Sequence, residues 1–208
     1  MTPNDFIGLD VSSQAPDWAE SGFRLTAEGT ALALGRLARY AGNTKVFYSV
    51  AEHCVLLARH IAQLPLDALP GPRLVVMREA LAHDAAETIT SDLPWPTIRL
   101  IGQLTLQVAT GHLEGRMRKV LEMPEEPDPR VAAFVHQLDK QIAHNEIRSP
   151  VLFPPFEEAF LDRAFGRPDW SLTGVVVQGW SPDQAAQEWL AQWTWCSGLL
   201  LAVPREAR

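Results

Sequence analysis

Residues 81–87 read LAHDAAE, three ionisable side chains inside a stretch otherwise composed for burial. The surrounding RLVVMREALAHDAAETI is rich in Leu, Val, Met and Ala and predicts a helix over 73–89. At about 100° per residue and with His83 at zero, Asp84 falls at about 100°, Glu87 at about 40° and Ala80 at about 60°. An imidazole and two carboxylates then share one sector, above a small residue that leaves room. Groups of these types, brought together, can ligate a cation or move protons.

Two other helical stretches carry the same kind of anomaly. In SVAEHCVLLARHIAQL (49–64), Val50, Leu57, Ile61 and Leu64 form an apolar face with His53 in its middle and His60 on the same side. In RVAAFVHQLDKQIAHNEIR (130–148), Ala132, Val135, Ile142 and Ala143 make a stripe centred on Asp139. Gln137, Gln141, His144 and Arg148 point the other way. Singly, each has an ordinary explanation: a hydrogen-bonded core histidine, or an aspartate capping a neighbour or paired to an arginine. Ionised groups in an apolar interior are costly unless paired or metal-bound. Together, His53, His83, Asp84 and Asp139 on three helices form a four-ligand set suited to a divalent cation with mixed nitrogen and oxygen donors.

Positioning that set requires several helices, and the rest of the chain supplies them. Helical patterns run over 26–40, 49–64, 73–89, 97–121, 130–147, 156–165 and 182–195, broken at AGN, PGP, PWP, PEEPDP and SPVLFPP. Ser181 followed by Pro182 reads as a helix start. Strand-like alternation is confined to TGVVVQGW (173–180). The expected fold is an all-α helical bundle: an irregular leader over 1–25, then a single domain over 26–208. A chain of 208 residues is long enough to bury a substantial core. Its net charge of −7 argues against a nucleic-acid polymer or an anionic membrane as partner. Two cysteines without framework spacing indicate a reducing compartment, and no run of 18 apolar residues or basic-then-apolar leader occurs. A cytoplasmic protein is expected. Trp189 and Trp193, four apart, read as core or subunit-interface packing.

The order His53 … His83-Asp84 … Asp139 resembles the HD-domain metal-dependent phosphohydrolase superfamily. Within it, RYAGNTKVFYSVAEH (39–53) and LAHDAAETITSDLPWP (81–96) are similar to the bacterial 5′-deoxynucleotidases and their phage-encoded relatives, over about residues 26–195. The resemblance implies an HD-domain helical bundle in the bacterial, or phage-infected, cytoplasm, and a homo-oligomer of two or more chains. It implies one divalent ion (Mn²⁺, Co²⁺, Zn²⁺, Fe²⁺ or Mg²⁺) held by His53, His83, Asp84 and Asp139. Glu87 and Asp92 then orient water and phosphate and handle protons. Arg39 and Tyr40 contact phosphate and nucleoside, and Asp92, Leu93, Pro94 and Trp95 wall the sugar and base. Glu146 is expected to support the ligands from behind.

Relatives continue after the Asp-Leu-Pro element with any residue, then Pro, Leu or Val, and Lys. Here DLPWPTIRL puts Ile98 in the place of that lysine, with Arg99 next to it, and a bulky Trp95 in a slot often small or basic. Both changes bear on the substrate rather than the chemistry. The implied activity is hydrolysis of (deoxy)nucleoside 5′-monophosphates to nucleoside and phosphate. The alternative is a deoxynucleoside triphosphate triphosphohydrolase, such as a dATPase, with the same ligands. Guanosine tetraphosphate hydrolysis is disfavoured, since HDAAET lacks the HDxxED pattern. A non-enzymatic helical nucleotide-binding module predicts a broken ligand set, whereas all four positions are filled.

Overall fold

Six α-helices, each begun by a local sequence signal or a tight turn, frame the described part of the protein, with two short 3-10 turns at Arg39–Gly42 and Leu66–Ala68 between them. The computed structural model describes residues 26–93, 97, 113–157, 159, 161 and 176–202. Helix α1 (Ala27–Arg36) is capped by the Thr26 hydroxyl, which accepts from the Gly29 N–H at 3.0 Å. Helix α2 (Val50–Gln63) is capped by Ser49, and α3 (Arg73–Ala82) starts after Pro72. Short α4 (Glu87–Thr90) follows. Helix α5 (Pro129–Arg148) has Asp128 as cap and Pro129 in its first turn, and α6 (Pro182–Ala202) begins beneath the Ser181 hydroxyl. Residues 113–120 are also helical.

The all-α expectation holds. Among the described residues there is no strand, only an isolated antiparallel bridge between Ala38 and Ser49. Of the one strand-like stretch, residues 176–180 are irregular. The 1–25 leader, most of the expected 97–121 and 156–165 helices, and Pro94, Trp95, Ile98 and Arg99 lie outside the described residues. Among the described residues no helix is long and apolar enough to cross a membrane.

Helix α2 runs through the core with most of its surface covered. Val50 to Ala58 are all buried, which is why its sequence is apolar nearly all round. Helix α6 lies against α1, α2 and α3. It approaches α1 so closely that a Cβ on Gly35 would stand 2.5 Å from the Pro182 carbonyl oxygen. Trp189 and Trp193 stack at 5.3 Å between centroids, and the buried Trp189 indole donates to the Leu81 carbonyl at 2.8 Å. They are core residues. On α5, Val131, Val135, Leu138 and Ile142 face inward, while Ala132 and Ala143 are half-buried.

The expected single helix over 73–89 is broken. Residues 83–86 form a turn between α3 and α4, with Glu87, Thr88 and Ile89 donating to carbonyls three residues back at 2.9–3.2 Å. Such winding is close to three residues per turn, about 120° each, which eclipses residues i and i+3. Glu87 therefore stands over Asp84 rather than between Asp84 and His83.

Glu52 is a buried charge that the sequence reading passed over. Its carboxylate accepts N–H groups from Gln178 (2.7 Å), Gly179 (2.9 Å) and Trp180 (2.7 Å), fastening segment 176–180 to the first turn of α2. Gly179 permits this by adopting φ +68°, and a Cβ there would lie 2.8 Å from Val46. Glu52→Ala should leave these donors unpaired and cost about 2–4 kcal/mol in chemical denaturation. A loss below about 0.5 kcal/mol would mean that water replaces the carboxylate fully.

Candidate metal centre

The centre is assembled where α2, the α3–α4 turn and α5 meet. His53 closes the first turn of α2 and is fully buried. His83 and Asp84 sit in the tight turn, and Asp139 lies midway along α5. His53 Nε2 is 3.1 Å from Asp139 Oδ1 and 3.8 Å from Asp84 Oδ2. His83 Nε2 is 3.2 Å from Asp84 Oδ2 and 3.8 Å from Asp139 Oδ1. His53, His83 and Asp139 thus bring their ligand atoms together as one group, and Asp84 stands beside it, within reach of both imidazoles.

The donor chemistry fits a cation. Both Nε2 atoms are buried and have no hydrogen-bond partner, although carboxylate oxygens stand 3.1–3.8 Å away. Donors about 2.1 Å from a first-row divalent ion are themselves separated by about 3.0–3.4 Å. These buried His and Asp groups could hold a metal ion. A second grouping, Cys54 with His83 and Asp84, is less suited. His83 Nδ1 is 2.8 Å from the Ala80 carbonyl, which requires an Nδ1–H and leaves Cys54, 3.9 Å away, behind the ring. Burial also pushes the Cys54 thiol up to about 11, so it stays protonated.

Without an ion the centre balances charge with protons. Burial opposes charge on His83, but Asp84 beside it holds the imidazole well above its ordinary value. Burial and Arg39 oppose charge on His53, and Glu146 outweighs them. Burial works against the Asp139 carboxylate too, yet contacts with His53 and His83 hold it well below the usual range. Glu87 shows the reverse: burial, then the Asp84 charge beneath it, pushes its carboxyl up to about 9.

The approach to the centre is built by residues 37–49 and 91–93. Arg39 N–H donates to the Tyr48 carbonyl at 2.8 Å and Val50 N–H to that of Leu37 at 3.0 Å, drawing the exit of α1 against the entry of α2. Arg39 Nη1 lies 3.4 Å from Asp84 Oδ2, and its Nε 3.5 Å from Glu146 Oε2. Tyr40 is held in the left-handed region at φ 57°, its N–H donating to Asp92 Oδ2 at 2.8 Å. Ser91 at φ 64° turns the chain so that Asp92 can accept. Burial raises the Asp92 carboxyl, with Arg39 opposing. Leu93 is half-buried, and Pro94 and Trp95 lie outside the described residues.

Sequence reasoning understated two residues. Glu146 is fully buried and bonds both tyrosine hydroxyls, Tyr40 and Tyr48, at 2.6 Å each, with His53 Nδ1 also at 2.6 Å. Tyr48 carries no expected role of its own, although it lies within the RYAGNTKVFYSVAEH stretch that carries the resemblance. His60, expected on the same side of α2 as His53, is half-buried with its imidazole lowered by burial.

Fold and site together define an all-α protein with a buried His/Asp centre able to hold a metal ion. No family model matches the chain. It is similar to "Uncharacterized protein YfdR" of Escherichia coli (strain K12), with 37% identity over 71 residues. That match covers 34% of this chain and spans 34% of the relative's length.

Two outcomes follow from the geometry. His83→Ala and Asp84→Ala should each abolish retention of a stoichiometric divalent ion, read by elemental analysis after gel filtration, while keeping helical circular dichroism. Normal retention in either would remove it from the ligand set. Glu87→Gln should stabilise the metal-free protein increasingly as pH rises. The unfolded carboxyl ionises near 4.5 and the folded one at about 9, so the folding cost is absent below the first value and grows through that window. The gain in stability should increase by up to about 1.4 kcal/mol per pH unit. Melting curves in chelator at pH 5 and pH 8 check this, and a constant difference would contradict it.

Proposed function

We propose that the protein is a metal-dependent phosphohydrolase of the HD-domain kind, acting on nucleoside 5′-monophosphates with a preference for deoxyribose. The observation that carries this reading is the convergence of His53, His83, Asp84 and Asp139, with two bare imidazole nitrogens, beside the buried Arg39 guanidinium. A divalent ion held by those four residues supplies a Lewis acid that polarises a phosphoryl oxygen and makes the attacking water more acidic.

The chain's own groups supply the rest. Arg39 keeps its charge, for burial opposes it but Glu146 and Asp84 hold the guanidinium well above its usual value. It is placed to neutralise phosphoryl oxygens beside the ion. Water attacks phosphorus as the P–O5′ bond breaks, and the departing 5′-alkoxide needs a proton. Asp92 serves as that acid: its Oδ2 accepts the Tyr40 N–H, which leaves Oδ1 as the oxygen able to deliver a proton, and burial raises the carboxyl against the opposing Arg39 charge. Glu87, over Asp84, orients the attacking water. Tyr40 stands against the sugar, where a ribonucleotide would bury a 2′-hydroxyl without a partner, at a cost of about 1–3 kcal/mol.

Metal-loaded protein should be incubated with deoxy- and ribonucleotides from mono- to triphosphate and the products separated by chromatography. Nucleoside plus inorganic phosphate, formed faster from deoxynucleoside monophosphates, is the expected result. Release of inorganic triphosphate would move the reading to a triphosphohydrolase, and hydrolysis of none would end it. Asp92→Asn should retain the metal but lose about 10²-fold or more in kcat. Unchanged turnover would transfer the acid role away from Asp92.

A further inference from the structure

Glu146 has four polar partners, and they belong to different parts of the site. Its Oε1 lies 2.6 Å from His53 Nδ1 and accepts the Tyr48 hydroxyl at 2.6 Å. Its Oε2 accepts the Tyr40 hydroxyl at 2.6 Å and faces Arg39 Nε at 3.5 Å. One oxygen thus serves a metal ligand, and the other serves the cation beside it. An ionised carboxylate only accepts hydrogen bonds, so His53 Nδ1 must carry a hydrogen. Nε2 then has no hydrogen in the neutral ring, and it is this atom that stands unbonded 3.1 Å from Asp139. On the other oxygen, Arg39 Nε stands 3.5 Å away as an ion pair without a hydrogen bond, so the carboxylate holds the guanidinium by charge, while one terminal nitrogen lies 3.4 Å from Asp84 Oδ2.

We propose that Glu146 is a positioning residue that couples the two halves of the site. Through Oε1 it fixes His53 with Nε2 bare toward the ion, and through Oε2 it fixes Arg39 to receive a phosphoryl group. Metal occupancy and phosphate affinity then depend on one carboxylate that touches neither ion nor substrate. The phosphate half rests on the phosphohydrolase reading, whereas the metal half rests on the His/Asp centre alone.

Glu146→Gln preserves shape but removes the charge and one acceptor, so it separates positioning from packing. Tyr48→Phe removes a hydrogen bond from Oε1 without touching His53 or Arg39, and controls for simple loosening. Both variants and the parent should be titrated with Co²⁺, followed by visible absorption and calorimetry. The cobalt-saturated proteins should then be titrated with inorganic phosphate. Glu146→Gln should weaken Co²⁺ binding by about 10–100-fold, the usual effect of removing a carboxylate behind a ligating histidine, and alter the visible band. Its phosphate affinity at metal saturation should also fall by about tenfold or more. Tyr48→Phe should lower the melting temperature yet stay within about threefold of the parent on both titrations. In nitrogen-15 spectra of the metal-free parent at high pH, His53 should be the Nδ1–H tautomer.

Cobalt binding and band unchanged in Glu146→Gln would overturn the proposal. Loss of metal affinity with phosphate affinity intact would overturn the coupling. Equal losses in Tyr48→Phe would reduce Glu146 to packing and also overturn it. Should Glu146→Gln not fold, Glu146→Asp keeps the charge but retracts it by one methylene, and the same readings decide. A parent that takes up Co²⁺ and phosphate but hydrolyses no nucleotide would sink the phosphohydrolase reading while leaving Glu146 its role. A parent that takes up no Co²⁺ would sink both.

Discussion

A carboxylate closed off from water at position 146 has to be compensated on the spot, and the site is arranged around that requirement. Burial alone would favour the neutral acid. Arg39 first, then His53 and the Tyr40 hydroxyl, outweigh it and hold Glu146 down at about 2. These partners come from residues 39–53, roughly a hundred positions earlier in the chain. Satisfying one side chain on α5 therefore pins the α1 exit, the entry of α2 and the left-handed turn at Tyr40. Burial raises both tyrosines well above their usual values, and Glu146 raises them further, so each remains a donor.

The first two turns of α2 serve as a junction for two buried acids of opposite use. Glu52 spends its oxygens on three backbone N–H groups and fastens segment 176–180 to the helix. One residue on, His53 turns to the other side and meets Glu146 and Asp139. The helix can host both because it is covered on most sides, and its exact height is fixed by Ser49 capping the Glu52 N–H at 3.1 Å. A shift of α2 by one residue would break the clasp and the metal centre together. That mutual dependence explains why irregular backbone at Tyr40, Ser91 and Gly179 is tolerated around this helix.

How much was legible in the sequence depends on whether a residue's surroundings are local. Helical periodicity exposed His53 and Asp139, because a polar residue amid an apolar stripe violates the local pattern. The all-α architecture was legible for the same reason. His83-Asp84 stood out too, but the break after Ala82 did not: nothing in AHDAAE prevents a straight helix. The backbone there instead bonds three residues back, which brings Glu87 over Asp84. Glu52 was hidden in plain view. Ser49-Val-Ala-Glu52 is a capping-box pattern, which predicts a glutamate folded back on its own helix. Its partners lie some 126 residues away, and no local rule reaches them. Tyr48 was missed likewise, since its hydroxyl finds Glu146 only once α5 is docked.

The same cluster of charges can be closed in two ways, by protons or by an ion. With protons, Asp84 raises the His83 imidazole against its burial, and Glu87 keeps its hydrogen because it is buried and lies close to the Asp84 charge. With a divalent ion, the imidazoles must give up the hydrogens on Nε2, since those lone pairs become the ligand atoms. A second positive centre next to Asp84 also favours ionisation of Glu87, because an opposite charge nearby stabilises the charged form. Loading is therefore an exchange of protons for metal within a preformed cage, not the folding of a disordered one. Arg39 does not take part in the exchange, since its guanidinium stays charged in either state. The fixed charges of Arg39 and Glu146 thus frame a centre whose other members are free to trade protons for an ion. Such a division, with permanent charges behind and titratable ones in front, lets one set of residues be neutralised either by protons or by an ion.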